Sequence, residues 1–140
     1  MAKRIALTDY IACDGVDIST WVRAVGFTSE DDRVDASGFN TTGASEFLLG
    51  IRTREVTLEI IMARGANEVH QVLYPLHRDR TSFDFVWRPI AGSSVSSTNP
   101  ELRGSAKIAA WGEGATRGDL ETTTITLVTA DTTGFEFYAT

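Results

Sequence analysis

Hydrophobic and polar residues alternate most regularly between Arg54 and Met62. The apolar positions are Val56, Leu58, Ile60 and Met62, and the polar positions between them are Glu55, Thr57 and Glu59. Successive side chains of a β-strand point to opposite faces of its sheet, so this period of two predicts a strand. One face of that strand is expected in a core and the other in water.

Strand-like segments recur along most of the chain, with turn-forming residues between them. They run from Asp9 to Cys13, Trp21 to Val34, Phe47 to Met62, Phe83 to Arg88, Leu102 to Trp111 and Leu120 to Thr129, and a short one includes Phe135 and Phe137. Asp14-Gly15 suits a tight hairpin turn after the first strand, and Gly112 to Gly118 predicts a flexible link. Short strands separated by regular turn signals are typical of a sandwich or barrel.

A single segment, Ala66 to Leu76, has the periodicity of an amphipathic helix. Its apolar residues at helical spacing are Val69, Val72, Leu73 and Leu76. Asn67 is the predicted N-cap, and Glu68 suits the first turn. Pro75 is expected to kink or tighten the last turn, because proline cannot donate a backbone hydrogen bond.

A nine-residue polar loop, Ser37 to Ser45, separates the second and third predicted strands. It is longer than an ordinary hairpin connection, which is two to five residues. A loop of this length and composition is predicted to be either disordered or employed in binding.

Composition places the chain among single-domain globular proteins. It has 140 residues, of which 42% are hydrophobic and 23% charged. The formal net charge of −6 argues against a nucleic-acid binder, because such proteins use Lys and Arg to displace counterions from phosphates. The one cysteine, Cys13, is predicted to be a small core residue. No apolar run approaches the roughly 20 residues of a membrane span, and we expect no signal peptide or anchor.

The sequence predicts neither a catalytic nor a metal-binding site. His70 and His77 are seven residues apart, which is too far for the pair on adjacent turns that binds a metal. They are interpreted as surface histidines. No Ser-His-Asp or Cys-His arrangement is indicated by local context, so neither an enzyme nor a cofactor is expected.

A series of short motifs extends over nearly the whole chain. In order they are Asp14-Gly15-Val16-Asp17, residues 32–39 (DRVDASGF), Leu48-Leu49-Gly50-Ile51, Tyr74-Pro75-Leu76, residues 96–101 (SSTNPE) and Gly118-Asp119-Leu120. This order resembles the major tail proteins, or tail tube proteins, of long-tailed bacteriophages of the siphovirus type, and especially of phages that infect actinobacteria.

The resemblance implies one tail tube domain over residues 1–140, with a mainly β fold: a sandwich or half-barrel with one flanking α-helix. Such subunits form hexameric rings that stack into a hollow tube, through which the genome enters the host without sequence-specific binding. The implied partners are further copies of the chain and the tape measure, tail terminator and baseplate or tail tip proteins. The implied location is the virion tail, assembled in the host cytoplasm.

The resemblance also implies which residues meet other subunits. The loop at about residues 37–47 would reach the neighbouring ring, with contacts from Ser37, Gly38, Phe39, Asn40, Thr41, Thr42, Phe47, Leu48 and Leu49. Candidates for the channel wall are Glu30, Asp32, Glu55 and Glu59, because acidic side chains repel phosphates. A solvated outer face is an equal alternative for these acids. Candidates for ion pairs between subunits are Arg23, Arg33, Arg52, Arg54 and Arg103.

Two other functions stay open on the sequence alone. One is a monomeric β-sandwich module that binds carbohydrate on a platform of Trp21, Trp87 and Trp111, although core packing is favoured for all three. The other is the tube subunit of a contractile injection system, which has the same fold and works beneath a sheath.

Overall fold

The computed structural model describes residues 9–35, 47–130 and 134–140, without the side chains of Val34 and Phe47. The elements in chain order are β1 (Tyr10–Cys13), β2 (Val16–Asp17), β3 (Val22–Asp35), β4 (Phe47–Ile61), α1 (Val69–Arg78), β5 (Phe83–Arg88), β6 (Glu101–Gly114), β7 (Thr122–Thr129) and β8 (Glu136–Tyr138). Each predicted strand is present, and the predicted polar loop lies outside the described residues.

The described strands form one antiparallel sheet with the order β2-β1-β5-β6-β7-β4-β3, and β8 pairs with β6. The predicted hairpin turn is confirmed, because Asp14 and Gly15 connect β1 to β2 with φ of 53° and 75°. Positive φ at both central residues is the geometry that two-residue hairpins need.

The sheet curls around its own core. In a flat sheet, β3 and β5 would lie about 19 Å apart, since four strand spacings separate them. Phe135 nevertheless contacts both strands, with its ring centroid 6.5 Å from that of Phe27 and 6.0 Å from that of Phe85. This curvature makes the fold an open half-barrel and confirms the predicted fold class.

The core confirms the alternation from which the strand at residues 54–62 was predicted. Val56, Leu58 and Ile60 are fully buried, whereas Glu55 and Thr57 are exposed. Cys13 is 1% exposed, as expected of a core residue. The core also takes in Phe85, Leu102, Ile125, Leu127 and Phe135.

Helix α1 closes the core on its concave side, because Val69, Leu73 and Leu76 are buried there. Its predicted start was wrong. The helix begins at Val69 with Glu68 as N-cap, and Asn67 lies outside it with a φ of 62°. The Glu68 carboxylate instead accepts a hydrogen bond from the Gly65 backbone N–H at 3.2 Å, which closes a turn before the helix.

The predicted flexible link was also wrong over its first half. Residues 112–114 belong to β6, where they pair with residues 122–124 of β7. The glycines therefore extend a strand, and only residues 115–121 form the connection to β7.

Candidate functional site

Strands β3 and β4 extend past the rest of the sheet as a two-stranded ribbon. The pairing of β4 with β7 covers residues 55–61, and at the end nearer the ribbon Glu55 lies opposite Val128. Residues 47–54 of β4 pair only with β3 among the described strands. We call residues 29–35 and 47–54 the ribbon; at about 3.3 Å per residue it reaches roughly 25 Å beyond β7.

The ribbon exposes large apolar side chains on both of its faces. Leu48, Leu49 and Ile51 are 62%, 67% and 75% exposed. A register shift between Asp31 and Arg33 marks one extra residue in β4. As a result, Leu48 and Ile51 share one face and Leu49 lies on the other. An isolated two-stranded ribbon is only marginally stable in water, so apolar groups on both faces point to partners that cover it.

One bidentate ion pair joins the two strands of the ribbon. Arg52 donates from Nε to Oδ1 of Asp31 at 2.6 Å and from Nη2 to Oδ2 at 3.2 Å. This hydrogen bond lowers the pKa of the Asp31 carboxyl, and the positive charges of Arg52 and Arg54 add to the effect. Because the pair is exposed, it aligns the two strands more than it stabilises them.

The four acidic residues predicted for the channel wall lie on one face of the sheet. On β3, Glu30 and Asp32 alternate with residues such as Phe27, which packs on the core. On β4, Glu55 lies opposite Thr28 and Glu59 opposite Ala24. We call this side, which points away from the core, the polar face; besides these acids it carries Gly26, Thr57, Thr124 and Thr126.

Most of the arginines proposed for contacts between subunits have partners within the chain. The intramolecular pairs are Arg23 with Glu59 at 3.8 Å, Arg52 with Asp31, Arg54 with Glu136, and Arg103 with Glu101. Each of these four arginines therefore has an acidic partner without a second subunit. The pairing of β3 with β4 brings Glu59 to Arg23 and Asp31 to Arg52, whereas Glu101 lies two residues before Arg103 on the same strand.

The C-terminal segment is held to the sheet by two of these arginines. Arg54 donates from Nη1 to the carbonyl oxygen of Phe135 at 2.8 Å. Arg103 donates from Nη2 to the carbonyl oxygen of Thr140 at 2.9 Å, and its guanidinium lies 4.8 Å from the ring centroid of Tyr138. These contacts fix β8 beside β6 and seat Phe135 in the core.

Both histidines are half-buried, so the prediction of two surface histidines was wrong. His77 stacks on Trp111 with ring centroids 6.0 Å apart and donates from Nδ1 to the carbonyl oxygen of Ile108 at 3.2 Å. His70 lies between Tyr74 and Trp111. The described residues contain no group of three His, Cys, Asp or Glu side chains that could hold a metal ion.

Trp111 also lowers the pKa of a neighbouring carboxyl. Its indole N–H donates to Oε1 of Glu113 at 2.9 Å, and this hydrogen bond, with help from Arg64, holds the pKa of Glu113 below its usual range. Trp21, Trp87 and Trp111 all pack against the core, as predicted. The indole of Trp87 additionally donates to Asp9 at 2.7 Å. The three rings belong to different strands and loops and form no shared stacking platform.

The sequence-based contact residues fall into two groups. Ser37, Gly38, Phe39, Asn40, Thr41 and Thr42 lie outside the described residues. Phe47 is the first residue of β4, followed on the ribbon by Leu48 and Leu49. Sequence reasoning missed Ile51, although the signal was present: Ile51 is an apolar residue at a position where the alternation of β4 calls for a polar one.

In the described part of the chain, no helix is long and apolar enough to cross a membrane.

No protein-family model matches the chain, and no curated protein matches it in sequence. Solved structures do match its fold. The virion of a native gene transfer agent (GTA) particle contains a chain with a TM-score of 0.76 and 14% identity, over 98% of this chain and 100% of that chain. The SPP1 tail tube matches with a TM-score of 0.70 and 10% identity, over 95% of this chain and 77% of that chain. The fold is that of phage tail tubes.

A further match describes the tail of an empty GTA particle with C6 symmetry, at a TM-score of 0.66 and 14% identity, over 85% of this chain and 83% of that chain. Sequence identities this low establish the tail tube fold and nothing finer. The overall fold is thus shared with chains of these tails and virions.

Proposed function

We propose that this chain is a structural subunit of a phage-type tail tube, which assembles with copies of itself into stacked hexameric rings around a channel. The observation that carries the proposal is the ribbon: a tail tube fold that exposes apolar side chains on both faces of a two-stranded extension. Such an extension gains stability only when other chains cover it. Six-fold rings are supported by the C6 symmetry of the matching GTA tail.

The polar face is the proposed wall of the channel. It combines small and hydroxyl side chains with the carboxylates of Glu55 and Glu59 in the sheet, and of Glu30 and Asp32 on the ribbon. A smooth acidic wall repels phosphates and lets a nucleic acid slide past. In this arrangement α1, on the opposite side of the sheet, lies toward the outside of the tube.

The loop at about residues 37–47 remains the proposed contact to the next ring, together with Leu48 and Leu49 beside it. The wider assembly would include tape measure, terminator and baseplate or tail tip proteins, and would form in the host cytoplasm before becoming part of the virion. A siphovirus-type, actinobacteriophage-like origin also remains part of the proposal.

Electron microscopy of the purified protein in negative stain tests this function. We expect rings or tubes with a central channel, and we expect removal of residues 38–44 to leave a folded monomer that no longer grows tubes. A protein that stays monomeric at every concentration and salt condition would contradict the proposal. Binding of sugars by such a monomer would favour the carbohydrate-binding alternative.

The contractile injection system remains the nearest alternative, because its tube would have the same fold. Purified tubes do not distinguish the two. Particles isolated with the protein in place do, because a second, sheath-forming layer around the tube would be visible in cross-section. A bare tube supports the siphovirus-type tail.

A further inference from the structure

The sheet carries an open cleft at the end opposite to the ribbon. It has a volume of about 710 Å³ and is lined by Arg23 and by residues of the β6–β7 connection, among them Thr116, Asp119 and Leu120. Ile61 at the end of β4 pairs with Thr122 beside this cleft, whereas the ribbon begins at Phe47. At about 3.3 Å per residue, β4 separates the tip of the ribbon from the cleft by roughly 45 Å.

The cleft combines positive charge with an exposed apolar side chain, and both complement the polar face of the ribbon. Arg23 is exposed at its wall, Arg117 lies in the same connection, and Leu120 is 65% exposed. The polar face of the ribbon carries Leu48 and Ile51 together with Glu30 and Asp32, for which no ion pair is found among the described residues. Asp119 is the one acidic group in the cleft wall.

We infer that the cleft is the receptor for the ribbon of a second copy of this chain. The inference rests on the proposed function and names the surface on which one ring would receive the next. Leu48 and Ile51 pack on Leu120, while Glu30 and Asp32 face Arg23 and Arg117. Because the two surfaces lie at opposite ends of one molecule, the contact is head-to-tail and repeats without limit, which is the geometry of a growing tube.

This contact gives the acids of the polar face two different roles. Glu55 and Glu59 lie within the sheet and belong to the channel wall. Glu30 and Asp32 lie beyond β7 on the ribbon, where the proposed wall passes from one ring to the next, and they form its junction. The weak 3.8 Å pair between Arg23 and Glu59 leaves the Arg23 side chain 61% exposed, so it is accessible to a neighbour.

Charge reversal and restoration test the junction. We expect Arg23→Glu with Arg117→Glu to raise the critical concentration for tube growth about tenfold, and Glu30→Arg with Asp32→Arg to do the same. The variant with all four changes should return to near the wild-type value, because the complementary charges have only exchanged places. Sedimentation of tubes measures each concentration.

Arg78→Glu with Arg80→Glu is the matched control, since it makes the same change of charge at the exposed end of α1. It should assemble like the wild type. If the fourfold variant assembles no better than the two double variants, or if the cleft variant grows normal tubes, the inference fails. Failure of the wild type to form tubes would instead contradict the proposed function itself.

Disulfide trapping provides a second measurement that does not depend on charge. Cys13 is the only native cysteine and is buried, so added cysteines report alone. Ile51→Cys with Leu120→Cys should give a ladder of covalent oligomers when tubes are oxidised, because bridged Cα atoms must approach within about 7 Å. Ile51→Cys with Ile90→Cys, at another exposed apolar residue, should give no ladder. The opposite pattern would place the ribbon elsewhere.

Discussion

Gly104 lies where the C-terminal segment approaches β6 most closely. A Cβ atom at this position would be 2.7 Å from Cδ1 of Phe135 and 3.0 Å from the carbonyl oxygen of Gly134. Since Phe135 is buried between Phe27 and Phe85, it has no free space into which it can move. We expect Gly104→Ala to lower the free energy of unfolding by about 1–3 kcal/mol, as overpacked cores do. Urea denaturation measures this loss.

Gly112 provides the control on the same strand. A Cβ there would have its nearest neighbour, the Thr124 carbonyl oxygen, at an ordinary 3.8 Å. Gly112→Ala should therefore leave stability unchanged or raise it slightly. Equal losses in the two variants would mean that Gly104 matters for its backbone freedom and not for the close contact.

Cys13 makes the stability of the fold depend on pH in the alkaline range. Burial raises the pKa of its thiol to about 12, and the nearby Asp14 carboxylate adds to the effect. The unfolded thiol has a pKa of roughly 8.5, so its contribution is complete below that pH and falls as the pH rises toward 12. We expect urea denaturation to show a loss of stability from pH 8 to 10.5, and Cys13→Ala to show a smaller one. Equal losses would contradict this role.

At the scale of elements, the C-terminal segment depends on one arginine of the ribbon more than on its neighbour. Arg54 is 14% exposed and holds both Phe135 and Glu136, whereas Arg52 is 53% exposed and pairs with Asp31 on the adjacent strand. We expect Arg54→Met to destabilise the protein by about 1–3 kcal/mol, because the buried Phe135 carbonyl loses its donor.

Arg52→Met is the matched comparison, on the same strand and the same face. It should leave the midpoint of thermal unfolding almost unchanged, because an exposed ion pair adds little stability. Hydrogen exchange should show the amides of residues 134–138 opening faster in Arg54→Met alone. Faster exchange in both variants would mean that the ribbon and the C-terminal segment unfold as one unit.

The elements themselves could largely be predicted from the sequence, and their relationships could not. The alternation at residues 54–62 and the Asp14-Gly15 turn depend on local chemistry, so both were confirmed. Gly112 to Gly114 was predicted as a link because glycine disfavours strands, but the pairing with β7 outweighs that preference. The ribbon could not be predicted, because the part of a strand that lacks a second neighbour depends on the length of the strands beside it.

At the scale of the whole molecule, one curved sheet separates two environments. Its concave side holds the core, α1 and the C-terminal segment, and its polar face carries the carboxylates. The ribbon extends from one end of this sheet and the cleft lies at the other. In the proposed tube, a repeat of such units along the axis aligns the polar faces with one another, so their charges would act together on DNA in the channel.

Reversing the charge of the polar face tests whether this face lines the channel or lies on the outside of the tube. Reversing Glu55 and Glu59 to Lys changes the charge of the face by four units in every copy, and neither side chain belongs to the core. We expect tubes to assemble as before but to retain double-stranded DNA at low salt and release it as salt rises, because phosphates would displace counterions from the new lysines. Particles carrying the variant should deliver their genome poorly.

The matched control reverses two other exposed acids, Asp14→Lys and Asp79→Lys, with the same change of charge per copy. Asp14 lies in the turn between β1 and β2 and Asp79 follows α1, so neither belongs to a strand of the polar face. If both variants retain DNA equally, the retention comes from net charge and not from the channel. Unchanged delivery by the Glu55 and Glu59 variant would place those carboxylates on the outside of the tube and turn the sheet around, with α1 facing the passing genome.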